Sequence, residues 1–127
     1  MRKLKNFDPN FITETFFSEI DPEEINMGQC FQWAYLAYNL FENVELWDLP
    51  HHAFVKYKGK YYDSECPNGE KDWRDLPASN WGRWYKTPRR QTPSAFKRDW
   101  FLQTKRFDTS WNELETLAKE LINQGYH

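Results

Sequence analysis

The stretch of sequence that decides the fold is Gly28-Gln-Cys-Phe-Gln-Trp-Ala-Tyr-Leu-Ala-Tyr-Asn-Leu-Phe41. It contains no proline, no charged residue and no glycine after its first position. An apolar segment of this length predicts a helix that is buried over most of its surface. The predicted helix begins near Gly28, so Cys30 lies in its first turn, where free backbone N–H groups and the helix dipole favour a thiolate.

Two short segments rich in aromatic residues, 51–57 and 60–65, follow this helix. They are joined by Lys58-Gly59, and this pattern predicts an antiparallel β-hairpin in which Tyr57 pairs with Lys60. Together with further helices, the hairpin predicts an α+β fold in a single domain over residues 1–127. The further elements predicted are helices over 8–18, from Pro22, over 93–105 and from Ser110, and an irregular stretch over 79–91 with one short strand.

The loop length of the hairpin decides which side chains share a face, because side chains alternate along a strand. A two-residue loop places His52 on the same face as Asp63 and Glu65. A three-residue loop shifts the register by one residue and brings Asp63 onto the face of His51. Lys-Gly suits a two-residue turn, which favours His52 as the partner of a carboxylate and leaves His51 and Glu65 as alternatives.

These residues have the types that nucleophilic catalysis by a thiol requires. A cysteine in its thiolate form is the nucleophile, a histidine within reach is the general base, and an acidic residue orients the imidazole. Cys30, His52 and Asp63 supply the three groups in this order along the chain. Metal binding is disfavoured, because adjacent histidines on a strand point apart.

The two segments Gly28-Gln-Cys30-Phe-Gln-Trp-Ala34 and His52-Ala-Phe-Val-Lys-Tyr-Lys-Gly-Lys-Tyr-Tyr-Asp63 resemble the core of transglutaminase-like proteins, which belong to the papain-like cysteine superfamily. The resemblance covers residues 28–63. It implies a minimal papain-like core, in which a buried helix that begins with the cysteine packs on a small antiparallel sheet, with a C-terminal helix added. It also implies that Cys30 is the nucleophile, that His52 is the general base and then the acid, and that Asp63 orients His52.

The activity implied is acyl transfer or hydrolysis at an amide or thioester of a protein or peptide, with a thioacyl intermediate on Cys30 and no cofactor or metal ion. The backbone N–H of Cys30 is the generic donor to an oxyanion, and Gln29 and Trp33 are further candidates. A second hypothesis keeps the papain-like fold without catalysis, as a binding module that acts on a protein partner.

A third hypothesis follows from the distribution of charge. Residues 7–55 contain nine acidic residues and no lysine or arginine, whereas residues 83–106 contain eight basic residues and one acidic residue. Basic residues interleaved with aromatic rings bind nucleic acid in some proteins. We favour the alternative that the basic segment packs beside the acidic one and that its rings belong to the core.

The composition excludes several other classes of protein. Aromatic residues make up 19% of the 127 residues, which argues against intrinsic disorder although 28% are charged. No apolar run approaches the length of a membrane span, no signal peptide is recognisable, and two cysteines form neither a disulfide framework nor a zinc motif. We therefore expect a cytoplasmic protein with no membrane association; the sequence does not indicate the oligomeric state.

Overall fold

The computed structural model describes residues 2–81 and 87–125. They form an α+β structure in which helices pack on a four-stranded antiparallel sheet with strand order β3-β2-β1-β4. The helices are α1 (Pro9–Phe16), α2 (Pro22–Asn26), α3 (Cys30–Leu40), α4 (Pro93–Asp99), α5 (Phe101–Arg106) and α6 (Trp111–Asn123). The strands are β1 (Glu45–Leu49), β2 (His52–Tyr57), β3 (Lys60–Tyr62) and β4 (Arg89–Gln91), and 3₁₀ turns span Trp73–Asp75 and Pro77–Asn80.

The apolar segment that begins at Gly28 forms α3, as the sequence predicts, and Cys30 is its first residue. Phe31, Trp33 and Leu36 are almost completely buried, because α3 packs against β2 on one side and α6 on the other. The sheet and the surrounding helices therefore fix the position of the cysteine at the start of α3.

The hairpin of β2 and β3 has the two-residue loop that its sequence favours. Tyr57 pairs with Lys60. Lys58 and Gly59 both have positive φ angles, 48° and 81°, as a tight hairpin turn of this length requires. This register excludes the alternative with a three-residue loop. The strand ends at Tyr62, three residues earlier than predicted.

Strand β1 was not predicted from the sequence. It pairs with β2 through the two-residue connection Pro50-His51, so a second tight hairpin precedes the first. Leu46 and Asp48 are both buried, while Trp47 between them is partly exposed. The buried face of β1 therefore carries a carboxylate, and this hides the alternation of apolar and polar residues by which a strand is recognised.

The prediction of a single helix over 93–105 is wrong, because the structure divides this segment into α4 and α5. The break lies at Trp100, whose backbone is not helical, with φ −103° and ψ 14°. Its indole Nε1 donates a hydrogen bond of 3.0 Å to the buried carboxylate of Asp48. We attribute the break to this contact with β1, which the local sequence does not encode.

The helix starts at the two ends of the chain follow the predicted capping. Asp8 accepts hydrogen bonds from the backbone at the start of α1, and Pro9 is its first residue. The Ser110 hydroxyl accepts from the backbone N–H of Glu113 at 3.1 Å, which caps α6. In residues 2–81 and 87–125, no helix has the length and apolar character needed to cross a membrane.

Candidate active site

Cys30 lies at the junction of α3 and β2. Its side chain is only 4% exposed, and its Sγ accepts a hydrogen bond of 3.4 Å from the backbone N–H of Ala53. The backbone N–H of Cys30 makes no hydrogen bond to any described residue, as is usual in the first turn of a helix. The residue thus combines a sulfur held in place with a free backbone donor beside it.

His52 is fully buried at the start of β2. Its Nε2 lies 2.9 Å from Oδ2 of Asp63, and its ring stacks on Phe54 with 5.5 Å between ring centroids. Its other ring nitrogen, Nδ1, is buried and has no hydrogen-bond partner among the described residues. With the proton on Nε2 and directed at Asp63, the lone pair of a neutral imidazole is at Nδ1.

The surroundings of His52 favour its protonated form. Burial by itself lowers the pKa of His52, but the carboxylate of Asp63 and the sulfur of Cys30 outweigh it and raise the pKa to about 9. The imidazole, placed between a thiol and a carboxylate, is therefore mostly protonated at neutral pH.

Asp63 is held in one orientation by the turn that follows β3. Its Oδ1 accepts hydrogen bonds of 3.0 Å from the backbone N–H groups of Glu65 and Cys66, and its Oδ2 is the atom that contacts His52. One oxygen of the carboxylate is thus fixed by the backbone of the turn, and the other is directed at the imidazole. The carboxylate orients the imidazole and stabilises a positive charge on it.

The two alternatives to these residues have other partners. Nε2 of His51 lies 3.0 Å from the carbonyl oxygen of Ser79. The carboxylate of Glu65 accepts a hydrogen bond of 2.9 Å from the side chain of Asn26. The structure therefore brings Asp63 into contact with His52 and places Cys30 close enough to act on the pKa of His52, and within the described residues no hydrogen bond joins the ring of His52 to His51 or Glu65.

The two candidate side chains for an oxyanion donor differ in availability. The indole N–H of Trp33 donates to the hydroxyl of Thr13 at 3.0 Å, so it is engaged within the core. Gln29 is partly exposed and lies at a groove of about 340 Å³. The other residues that line this groove are Ile20, Glu24, Met27, Gly28, Arg106 and Phe107.

The second cysteine, Cys66, is poorly suited to act as a nucleophile. Burial, together with the carboxylates of Asp63, Glu70 and Glu65, raises the pKa of Cys66 to about 12. Both Cys30 and Cys66 are free thiols. Cys66 is therefore protonated and poorly nucleophilic at neutral pH.

The basic segment of the sequence is only partly described, since residues 83–86 lie outside the described residues. Arg89 lies 3.5 Å from the carboxylate of Asp48, and Arg90 lies 3.6 Å from that of Glu45. Two of its aromatic rings, Phe96 and Trp100, are buried. These contacts favour packing against the acidic segment, and nucleic-acid binding stays an untested prediction.

Two residues at the site were not singled out by sequence reasoning, Asn26 and Ala53. Asn26 lies four residues before Cys30, and its side chain is 3% exposed. Asn26 belongs to no motif, so the sequence alone carries no signal for its position at the site. Ala53 lies within the segment from His52 to Asp63 that carries the resemblance, but nothing in that segment indicates that its backbone N–H contacts the sulfur.

Neither a metal site nor a match to a known protein identifies the function of this site. Within residues 2–81 and 87–125, no group of three or more His, Cys, Asp or Glu residues is arranged to hold a metal ion. No protein-family model, curated protein or solved structure matches the chain. The resemblance to transglutaminase-like proteins therefore rests on the sequence motif, and the functional argument rests on the geometry of the site.

Proposed function

We propose that the protein is a papain-like, transglutaminase-type cysteine enzyme that catalyses acyl transfer or hydrolysis at an amide or thioester of a protein or peptide. The observation that carries the proposal is the buried imidazole of His52. Its Nε2 is 2.9 Å from Asp63, and its Nδ1 has no hydrogen-bond partner among the described residues. The sulfur of Cys30 is close enough to raise its pKa.

In the proposed reaction, the reactive state is the one in which Nδ1 of His52 already holds the proton of the Cys30 thiol, so that a thiolate lies beside an imidazolium. The thiolate attacks the carbonyl carbon of the substrate, a C–S bond forms, and the electron pair of the carbonyl moves onto its oxygen. When the carbonyl re-forms, the bond to the leaving group breaks, and His52 gives the leaving amine its proton. For a thioester, the leaving group is a thiol.

The thioacyl intermediate is then resolved by water or by an amine. His52 removes a proton from this second nucleophile as it attacks the carbonyl carbon, and the C–S bond breaks to release Cys30, which His52 reprotonates. Water yields a carboxylic acid, and an amine yields a new amide.

The surroundings of the three residues suit this chemistry. Asp63 stabilises the imidazolium that forms, and burial of both groups excludes water and strengthens their interaction. The free backbone N–H of Cys30, at the start of the 11-residue α3, is available to donate to the oxyanion.

The test is the rate of alkylation by iodoacetamide as a function of pH, measured for each cysteine by mass spectrometry. We expect Cys30 to react rapidly well below pH 8.5, the ordinary range of a free thiol, because His52 accepts its proton. In His52→Ala, this reactivity at low pH is lost. Cys66 is the internal control and stays slow in both proteins, because its pKa is raised to about 12.

A Cys30 that is inert, or that titrates as a free thiol with or without His52, contradicts the proposed catalysis. One observation favours the second candidate function in that case: the Cys30 side chain is only 4% exposed. The protein is then a papain-like binding module that acts on a protein partner. Its fold is retained, and its thiol has no reactivity that depends on His52.

A further inference from the structure

The short helix α2 is joined directly to the start of the helix that carries Cys30. The backbone N–H of Gln29 donates a hydrogen bond of 2.7 Å to the carbonyl of Ile25. Ile25 is fully buried, so α2 is anchored in the core. This hydrogen bond links the position of α2 to that of Gln29, the residue just before α3.

The same helix is also bonded to the turn that carries Asp63. The side-chain amide of Asn26 donates to Oε1 of Glu65 at 2.9 Å, and the hydroxyl of Ser64 donates to the carbonyl of Pro22 at 2.7 Å. These pairs are 39 and 42 residues apart in the sequence, so both bonds are tertiary contacts. They attach the turn after β3 to α2.

Glu65 connects α2 to the imidazole of His52 through a series of hydrogen bonds. Its backbone N–H donates to Oδ1 of Asp63 at 3.0 Å, and Oδ2 of Asp63 contacts His52 at 2.9 Å. Strand β3 ends at Tyr62, and the chain pairs with β3 again only at the bridge between Tyr61 and Glu70, so the residues of the turn between them have no strand pairing. The bonds from Asn26 and Pro22 are therefore the contacts that attach the unpaired part of this turn to α2, on the side of Cys30.

The Asn26 side chain is poorly suited to a purely stabilising role. It is buried, and its Oδ1 has no hydrogen-bond donor among the described residues. A buried polar atom without a partner destabilises the folded state, and an apolar side chain of similar size avoids this cost. The feature that such a side chain cannot supply is the directed bond to Glu65.

We propose that Asn26 and Glu65 are a positioning pair that holds the Asp63 turn, and with it the imidazole of His52, against Cys30. The proposal rests on the function proposed above. The pair acts through Asp63 on one side and through the start of α3 on the other.

The test compares Asn26→Leu with the wild-type protein in the alkylation experiment. We expect the rate at Cys30 near pH 6.5 to fall about fivefold, the loss of one ordinary hydrogen bond, and the pH profile to move toward that of a free thiol. Gln32→Met is the matched control. Like Asn26→Leu, it removes a buried side-chain amide, but Gln32 lies on α3. The amide of Gln32 donates to the hydroxyl of Thr109 at 2.7 Å and not to the Asp63 turn.

Conservative replacement of Glu65 provides a rescue test. Glu65→Gln keeps an oxygen that accepts from Asn26, whereas Glu65→Leu removes it. We expect Glu65→Gln to retain the wild-type pH profile and Glu65→Leu to share the profile of Asn26→Leu. Since Glu65 is partly exposed, Glu65→Leu also supplies the answer if Asn26→Leu does not fold.

The outcomes separate the two proposals. If wild-type Cys30 shows no reactivity that depends on His52, the proposed function fails, whatever the variants of Asn26 do. If the wild type shows this reactivity, and folded Asn26→Leu or Glu65→Leu has the same pH profile as Gln32→Met, only the positioning role is overturned. Urea unfolding of each variant measures any loss of stability, which a purely structural role produces without a change in the profile.

Discussion

At the scale of the residue, His52 is the group on which the proposed chemistry depends. It is fully buried, it contacts Asp63 through Nε2, and no residue in the described part of the chain bonds to its Nδ1. The sequence could predict that His52, and not His51, meets Asp63, because a two-residue loop fixes the faces of the hairpin. It could not predict that Asp63 lies beyond the end of β3, in a turn whose own backbone N–H groups hold the carboxylate.

The raised pKa of His52 predicts a dependence of stability on pH. Because its pKa in the folded protein, about 9, is above the ordinary value of 6.5, protonation of His52 stabilises the fold fully below about pH 6.5. This contribution is lost as the pH rises through about 9. We expect the free energy of unfolding to fall by an amount on the order of 3 kcal/mol across this window.

Urea unfolding between pH 6 and pH 9.5 measures this decline. His52→Gln is the control, because it removes the titrating group and keeps a polar side chain. The attribution to His52 is wrong if the variant and the wild type lose the same free energy over this range.

At the scale of the element, buried polar contacts decide where the secondary structure departs from the sequence pattern. The carboxylate of Asp48 accepts from the indole of Trp100 and from the amide of Gln91, at 3.0 and 2.9 Å. This one side chain therefore joins β1 to β4 and to the break between α4 and α5. The break was not predicted, because it depends on a partner that is distant in the sequence. Strand β1 was not predicted, because the carboxylate on its buried face has its partners in Gln91 and Trp100, which are also distant.

Replacement of the Trp100 indole tests this role of Asp48. In Trp100→Phe, the ring is kept in part and the donor to Asp48 is lost, so we expect the free energy of unfolding to fall by about 1–3 kcal/mol. Urea unfolding gives the value, and Trp81→Phe is the control, because Trp81 is largely exposed. Equal, small changes in both variants rule out a stabilising bond between Trp100 and Asp48.

At the scale of the whole molecule, the uneven charge of the sequence is partly neutralised by packing. The acidic and basic segments meet where β1 pairs with β4, and Arg89 and Arg90 contact acidic side chains of β1 there. Further along, Lys97 pairs with Glu115 at 3.3 Å. Contacts between residues distant in the sequence therefore neutralise part of the charge that the sequence separates into an acidic and a basic segment, while the net charge of the chain is −2.

These ion pairs predict weak interaction with nucleic acid. We expect no salt-dependent binding of a fluorescein-labelled oligonucleotide at low ionic strength, because the paired arginines are not free to neutralise phosphates. Fluorescence anisotropy measures the binding. Salt-sensitive binding that weakens in the double variant Arg89→Ala, Arg90→Ala supports the nucleic-acid hypothesis instead.

The sequence by itself determined the parts of this protein that depend on near neighbours along the chain. These are the buried helix with Cys30 at its start, the two-residue hairpin, and thereby the meeting of His52 with Asp63, since periodicity and loop length act over a few residues. Only the tertiary structure decided the insertion of β1, the break at Trp100 and the attachment of the Asp63 turn to α2. The break and the attachment of the turn rest on hydrogen bonds between residues 39 to 52 positions apart, and β1 lies inside the sheet because it pairs with β4, which is also distant in the sequence; no local pattern specifies such contacts.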